Sequence, residues 1–258
     1  MLESESVSQK VALAVYPDLE ALSRAAAELF VEHARQAVAN CGRFSVVLSG
    51  GSTPRRTYEL LSAPPARDQV PWERVHIFWG DERCVPANDP RSNSRMARRA
   101  LLDRVPIPPG QIHPISCGQE PRESAEHYEG VVRAFFAEGP PRFDLVFLGL
   151  GENGHTASLF PGTSVLDERR RWAAEVYVAE QRLFRVTLTA PLLNQAAILA
   201  FLVSGAGKAA VLREVLDGPE DPQRLPAQLI RPTNGSVRWL VDRAAGSLVR
   251  ADEKPGQT

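Results

Sequence analysis

Cysteine is scarce in this chain: Cys41, Cys84 and Cys117 are the only three among 258 residues. Their wide spacing and the lack of any CxxC pair suggest neither a disulfide framework nor a zinc site, so reduced packing cysteines are expected. An excess of positive charge is missing as well. Lys and Arg number 30 against 31 Asp and Glu, a formal net charge of −1. That balance argues against a general binder of nucleic acid or of membrane surfaces. No apolar run is long enough to span a bilayer; the longest is Ala196 to Val203. The start, Met1 to Lys10, is acidic and Ser-rich and has no apolar centre, so it does not read as a signal peptide. Cytoplasm is the expected compartment. Repeats and low-complexity linkers are absent. So are a G-x-S-x-G nucleophile elbow, since Gly50-Gly51-Ser52-Thr53-Pro54 fails at its last position, and any His/Cys/acid cluster with metal-ligand spacing.

What remains is ordinary globular composition, 43% hydrophobic and 24% charged. The length allows one large domain or two small ones and is ample for a core. Strand-like and helix-like patterns alternate along it. Buried strands are predicted at Val11–Tyr16, Phe44–Leu48, Val75–Trp79, Phe143–Leu148, Glu175–Val178, Arg185–Leu188, Ala197–Val203 and Val237–Val241. Asp18 opens a long helix with Leu22, Ala26, Leu29, Phe30 and His33 on one face. Further helices are predicted over Pro54–Leu61, from a Ser92 cap to about Val105, over Glu123–Phe136 and over Lys208–Leu216. Continuous apolar strands alternating with helices imply an α/β fold with a mostly parallel sheet covered on both faces. Pro64–Pro65 and Pro106–Pro109 read as surface loops, and the polar tail Ala251–Thr258 as frayed.

Four segments carry candidate chemistry. Ser49-Gly50-Gly51-Ser52-Thr53-Pro54 joins a strand to a helix, with Thr53 as a natural cap and Pro54 as first helical residue. Free N–H groups there would favour an anion such as phosphate, although a plain, well-capped turn fits equally well. Gly80-Asp81-Glu82-Arg83 ends the third strand, on the side where open α/β sheets bind ligands. Taken alone it reads more readily as a solvated turn with an ion pair. Gly149-Leu150-Gly151-Glu152-Asn153-Gly154-His155-Thr156 follows another strand. An imidazole exposed on a glycine-rich turn, with a reference pKa of roughly 6.5, suits proton transfer. His33, His76, His113 and His127 are read instead as structural or merely exposed. The segment also matches G-x-G-x-x-G, but it follows a late strand and meets Pro161-Gly162 soon after, which argues against a dinucleotide site. The fourth element is a pair of cations, Arg185 at a strand start and Lys208 in Ser204-Gly-Ala-Gly-Lys208. This is no Walker A loop, since Leu202 stands at the first Gly position and Ala209 at the Ser/Thr position. Without their context both cations would pass as ordinary surface residues.

Together Ser49–Pro54, Phe78–Pro86 with Ser92-Asn93, Phe143–Gly162 (FDLVFLGLGENGHTASLFPG), Arg185–Thr189 and Ser204–Lys208 resemble the 6-phosphogluconolactonase family. The resemblance implies a three-layer αβα sandwich of the sugar-phosphate isomerase kind. It further implies a single catalytic domain over residues 1–258 with a core of about 11–245. The implied reaction is hydrolysis of 6-phospho-D-glucono-1,5-lactone to 6-phospho-D-gluconate, the second step of the oxidative pentose phosphate pathway. No metal or organic cofactor is implied. By the same resemblance His155 is the general base, and Asp81 and Arg83 act at the ring end. Gly50, Gly51, Ser52, Thr53, Arg185 and Lys208 hold the phosphate, and Asn93 helps bind substrate. The chain is expected to act as a monomer on a small phosphorylated lactone, with no nucleic-acid or membrane partner. Asn153 departs from the Asp that many relatives carry. It can orient a neighbour by hydrogen bond but adds no charge to raise an imidazole's pKa. Two rivals are an amino-sugar-phosphate deaminase/isomerase, in which an acid follows the His, and a sugar-phosphate-binding regulator without catalysis.

Overall fold

The computed structural model describes residues 10–249 except Gln119 and Glu138. The expectations for the first nine residues and for the tail Ala251–Thr258 lie outside the described residues. The strands are β1 (Lys10–Tyr16), β2 (Phe44–Leu48), β3 (Val75–Trp79), β4 (Asp81–Arg83), β5 (Leu145–Leu148), β6 (Ala173–Val178), β7 (Leu183–Leu188), β8 (Ile198–Val203) and β9 (Ser236–Asp242). The α-helices are α1 (Leu19–Cys41), α2 (Ser52–Leu61), α3 (Ala66–Gln69), α4 (Asn93–Ala100), α5 (Pro121–Phe135), α6 (Ala190–Leu193) and α7 (Ala209–Asp217).

A six-stranded sheet runs in the order β1-β9-β8-β5-β2-β3, and every pairing in it is parallel. Strands β2, β5 and β8 are buried along their whole length, as expected where helices cover both faces. Strand alternation sorts the aromatic residues. On one face Phe30 of α1 meets Phe44 of β2 edge-on at 5.3 Å and stacks on Phe147 of β5 at 6.4 Å. On the other, Phe135 of α5 lies 4.9 Å from Phe78 of β3. Helices α1 and α5 therefore occupy opposite faces of one sheet, which gives the three-layer αβα arrangement. Asp18 caps α1 by accepting from Ala21 N, and Gly42 in the left-handed region ends it.

Three expectations need correction. First, β6 and β7 do not join the parallel sheet. They form a separate antiparallel sheet in the order β4-β7-β6, in which Arg83 lies opposite Arg185 and Asp81 opposite Thr187. β6 and β7 are neighbours in the chain, but β4 lies far from them in sequence, and its pairing with β7 leaves no local trace. Second, Cys84 and Cys117 are paired as a disulfide with Cα atoms 4.9 Å apart, and Cys41 alone is free and exposed. The 33-residue separation gave no sequence pattern for that pair. Third, Thr53 is not the cap of α2. Gly51, with φ of 110°, holds that place, and Ser52 and Thr53 are already helical. Ser92 does cap α4 by accepting from Arg95 N, but the helix stops at Ala100 and a short 3-10 turn follows at Leu102–Arg104.

Candidate active site

The chain runs outward in one direction through β2 and β3 and in the other through β5, β8 and β9, so β2 and β5 flank the point where the strand order reverses. Open α/β sheets bind ligands outside the carboxyl ends of their strands at such a point. Two buried tyrosines fix the strand ends here. The Tyr58 hydroxyl accepts from Ser49 N and donates to Ser49 O, both at 2.9 Å. The Tyr128 hydroxyl does the same for Trp79, at 2.9 and 3.0 Å. Each satisfies both backbone groups of a residue at the edge of the ladder, where no further strand hydrogen bonds are available.

A cleft of about 200 Å³ opens over these ends. Gly50, Gly51, Asp81, Arg83, Asn93, His155, Arg185 and Lys208 all line it, whereas Ser52 and Thr53 do not. Ser52 is exposed on the first turn of α2. Gly50 is required by close approach, because a Cβ there would overlap the Asn93 side chain. Asn93 brackets two functional groups. Its Nδ2 donates to Asp81 O and Oδ1 at 2.9 and 3.1 Å, and its Oδ1 accepts from Arg83 Nη1 at 2.8 Å.

Residues along β4 alternate in role. Glu82 turns away from the cleft and accepts from the backbone N–H of Arg83, Asn93 and Ser94 and from Ser92 Oγ, at 2.7–3.0 Å. It completes the amino end of α4, and burial pushes its carboxyl pKa upward against those hydrogen bonds. Asp81 is buried among donors: Ser158 Oγ at 2.6 Å, Arg185 Nη1 at 3.3 Å and Asn93 Nδ2. Arg185 is only 5% exposed, and its Nη2 donates to Gln181 Oε1. Its Nε and that of Arg83 are buried and donate to no protein atom among the described residues. Lys208 stands at the end of a 3-10 turn after β8, with Nζ 3.9 Å from Glu152 Oε1.

The His155 imidazole is held on several sides. Asn153 Oδ1 lies 2.6 Å from its Nδ1 and also accepts from the His155 backbone N–H at 3.3 Å. An atom that accepts from the backbone must be the amide oxygen, so Nδ1 carries the proton and Nε2 keeps its lone pair. The ring stacks on Phe160 with centroids 4.0 Å apart. Gly151 yields the space the imidazole occupies, since a Cβ there would overlap the ring. Burial pushes the imidazole down to about 4, with Asp81 opposing and Arg185, Lys208 and Arg83 reinforcing. It is therefore neutral at physiological pH. Ala157, two residues on, has φ of 47°, an uncommon conformation for a residue with a Cβ.

Sequence reasoning missed Ser158, Phe160 and Gln181, which anchor Asp81, His155 and Arg185. Ser158 and Phe160 sit just beyond the His, where a polar residue within an apolar stretch was the available signal. Gln181 carried none. Among the described residues no group of three or more His, Cys, Asp or Glu is placed to hold a metal ion, and no helix is long and apolar enough to cross a membrane.

The sequence profile of the family described as glucosamine-6-phosphate isomerases/6-phosphogluconolactonase matches residues 17–239. The chain belongs to this family. It is 44% identical over 219 residues to a 6-phosphogluconolactonase of a Synechocystis species, covering 83% of this chain and 88% of that one. A Nostoc protein of the same name is 39% identical over 242 residues, 92% of this chain and 98% of its own. Among solved structures, 6-phosphogluconolactonase from Trypanosoma brucei superposes with a TM-score of 0.81 at 28% identity, over 94% of this chain and all of that one (100%). The fold that carries the cleft is thus shared with that solved structure over 94% of this chain.

Proposed function

We propose that this chain hydrolyses 6-phospho-D-glucono-1,5-lactone to 6-phospho-D-gluconate, the second step of the oxidative pentose phosphate pathway, with His155 as general base. One observation carries the reading: a neutral imidazole with its Nε2 lone pair free shares a small cleft with three cations, Arg83, Arg185 and Lys208. A lactone is an activated ester and needs no covalent nucleophile. His155 Nε2 takes a proton from water as the water oxygen bonds to the lactone carbonyl carbon. The carbonyl electron pair moves onto oxygen, where the Arg83 guanidinium offsets the charge. As the tetrahedral intermediate collapses, the bond to the ring oxygen breaks and His155 returns its proton there. Lys208, the Nε of Arg185 and the N–H groups of Gly50 and Gly51 hold the phosphate away from the reacting carbon. That grip fixes the carbonyl in place and lowers the entropic cost of attack. Asp81 keeps Arg185 in position, and Asn93 keeps Arg83 in position.

No metal or organic cofactor takes part in this scheme. That the cleft is assembled from residues between Ser49 and Lys208 of one chain supports a self-sufficient catalytic domain, and the proposal extends to a monomer acting in the cytoplasm. The test is acid release in weak buffer near pH 7. Purified protein is expected to accelerate hydrolysis of the 6-phospholactone well above its spontaneous rate and to act poorly on the unphosphorylated lactone. No acceleration with either lactone would overturn the reading.

A further inference from the structure

Among the described residues Phe160 is the one aromatic side chain against both the imidazole and the buried guanidinium. Its ring lies nearly parallel to that of His155, at 20° and 4.0 Å between centroids, and the guanidinium carbon of Arg185 stands 5.2 Å from its centre. It is 4% exposed. Thr163 ties down the backbone, since its Oγ1 donates to Phe160 O at 2.6 Å and its N–H to the same oxygen at 3.3 Å. Gly162, with φ of 69°, makes the turn that brings Thr163 back.

The hydrogen bond from Nδ1 to Asn153 restrains one edge of the imidazole but leaves the ring some freedom to tilt out of its plane. A flat face stacked on it removes that freedom. We propose that Phe160 is a positioning residue of the lactone hydrolysis: its ring sets the plane of the His155 imidazole, aims Nε2 into the cleft and keeps water from the ring face. This role rests on the function proposed above.

The electrostatic surroundings agree. Asp81 on β4 favours a charged imidazole, whereas Arg83 on β4, Arg185 on β7 and Lys208 before α7 oppose it. Glu152 of the same loop as His155 is engaged with Lys208. Burial is the largest influence on the imidazole, and Phe160 supplies part of that burial. Removing the ring admits water, so the His155 pKa must rise toward its ordinary value of roughly 6.5.

The experiment compares wild type with Phe160→Leu and Phe160→Met, which stay apolar but no longer cover the ring face, and with Phe160→Tyr, which keeps the face. Thermal unfolding checks that each variant folds. Two readouts are used: the NMR titration of His155 in the free protein, and the pH dependence of kcat and KM for the 6-phospholactone. In the Leu and Met variants His155 is expected to titrate about one unit higher or more, and the acid limb of kcat to move with it. At pH 7 kcat is expected to fall about tenfold as the base loses its aim, with KM changing far less. Phe160→Tyr is expected to behave as wild type. A folded Leu or Met variant with unmoved titration and acid limb would overturn the role, even if its kcat falls, because the ring would then only fill space. Wild type inactive on the lactone would instead overturn the functional reading and this role with it.

Discussion

Two histidines in this molecule, His155 and His76, share nearly every local property. Each is partly buried, each contacts a phenylalanine ring, and burial pushes each imidazole down to about 4. They differ in what else converges on them. His76 lies on β3 beneath α5, its Nδ1 3.3 Å from His113 Nε2, in a cluster with Phe78 and Phe135. His155 engages none of the described residues through Nε2, and it lines a cleft with Arg83, Arg185 and Lys208. A depressed pKa and an aromatic stack therefore do not mark a catalytic base. The free lone pair, beside groups able to hold an anionic substrate, separates the two sites.

The largest expected effect breaks this comparison directly. His155→Gln should lower kcat by roughly 10²–10⁴-fold, the usual contribution of a general base, with little change in KM. His76→Gln should leave kcat near wild type and act on stability alone. Steady-state kinetics on the 6-phospholactone, with circular dichroism to confirm folding, would check both. Equal losses in the two variants would erase the distinction.

Next in size is the anion grip present in only one site. A charge-assisted hydrogen bond contributes roughly 1.5–3 kcal/mol, and each 1.4 kcal/mol or so is a factor of ten in affinity. Lys208→Ala should raise KM for the 6-phospholactone about tenfold or more on that scale, while leaving kcat/KM for the unphosphorylated lactone almost unaltered. Arg185→Ala would be a less clean test. Its Nη atoms engage Asp81, Ser158 and Gln181, so its loss strips partners from a buried carboxylate as well.

A smaller effect is one of stability, and it separates the two histidines only through the acid limb of kcat. The folded pKa of His76 lies below the ordinary value of roughly 6.5, so as pH falls the unfolded chain binds the proton first. Its contribution is complete above about 6.5 and is lost progressively down to about 4. His76→Phe should flatten the decline of Tm in that window without moving the acid limb of kcat. A Tm profile parallel to wild type would contradict the burial argument. The smallest expected effect is none. Dialysis against a chelator should leave activity intact, and loss restored by a divalent ion would show that the mechanism is incomplete.

Much of this was legible in the sequence because it is local. Asp18 and Ser92 announce their helices as caps, and the apolar runs at Phe44–Leu48 and Ala197–Val203 read as buried strands, which the structure places at Phe44–Leu48 and Ile198–Val203. The segments carrying Gly50, Asp81, His155 and Lys208 each follow a strand of the parallel sheet, and the family resemblance of the segments taken together suggested that they meet. Hidden contacts were those between distant residues. Ser158 reaches Asp81 across 77 positions and Arg185 reaches it across 104. The antiparallel pairing that sets Arg83 opposite Arg185, and the joining of Cys84 to Cys117, depend on the same long-range packing. The cap of α2 was misplaced because a left-handed Gly51 starts the helix earlier than hydroxyl preference suggests.

The central claim is that His155 waits as a neutral base with Nε2 unprotonated. The most direct test is the ¹⁵N spectrum of its imidazole in the free protein at pH 7, assigned by comparison with His155→Gln. The account predicts a proton on Nδ1, where Asn153 accepts it, and none on Nε2, unchanged until the pH approaches about 4. A proton on Nε2, or a doubly protonated ring at neutrality, would contradict it.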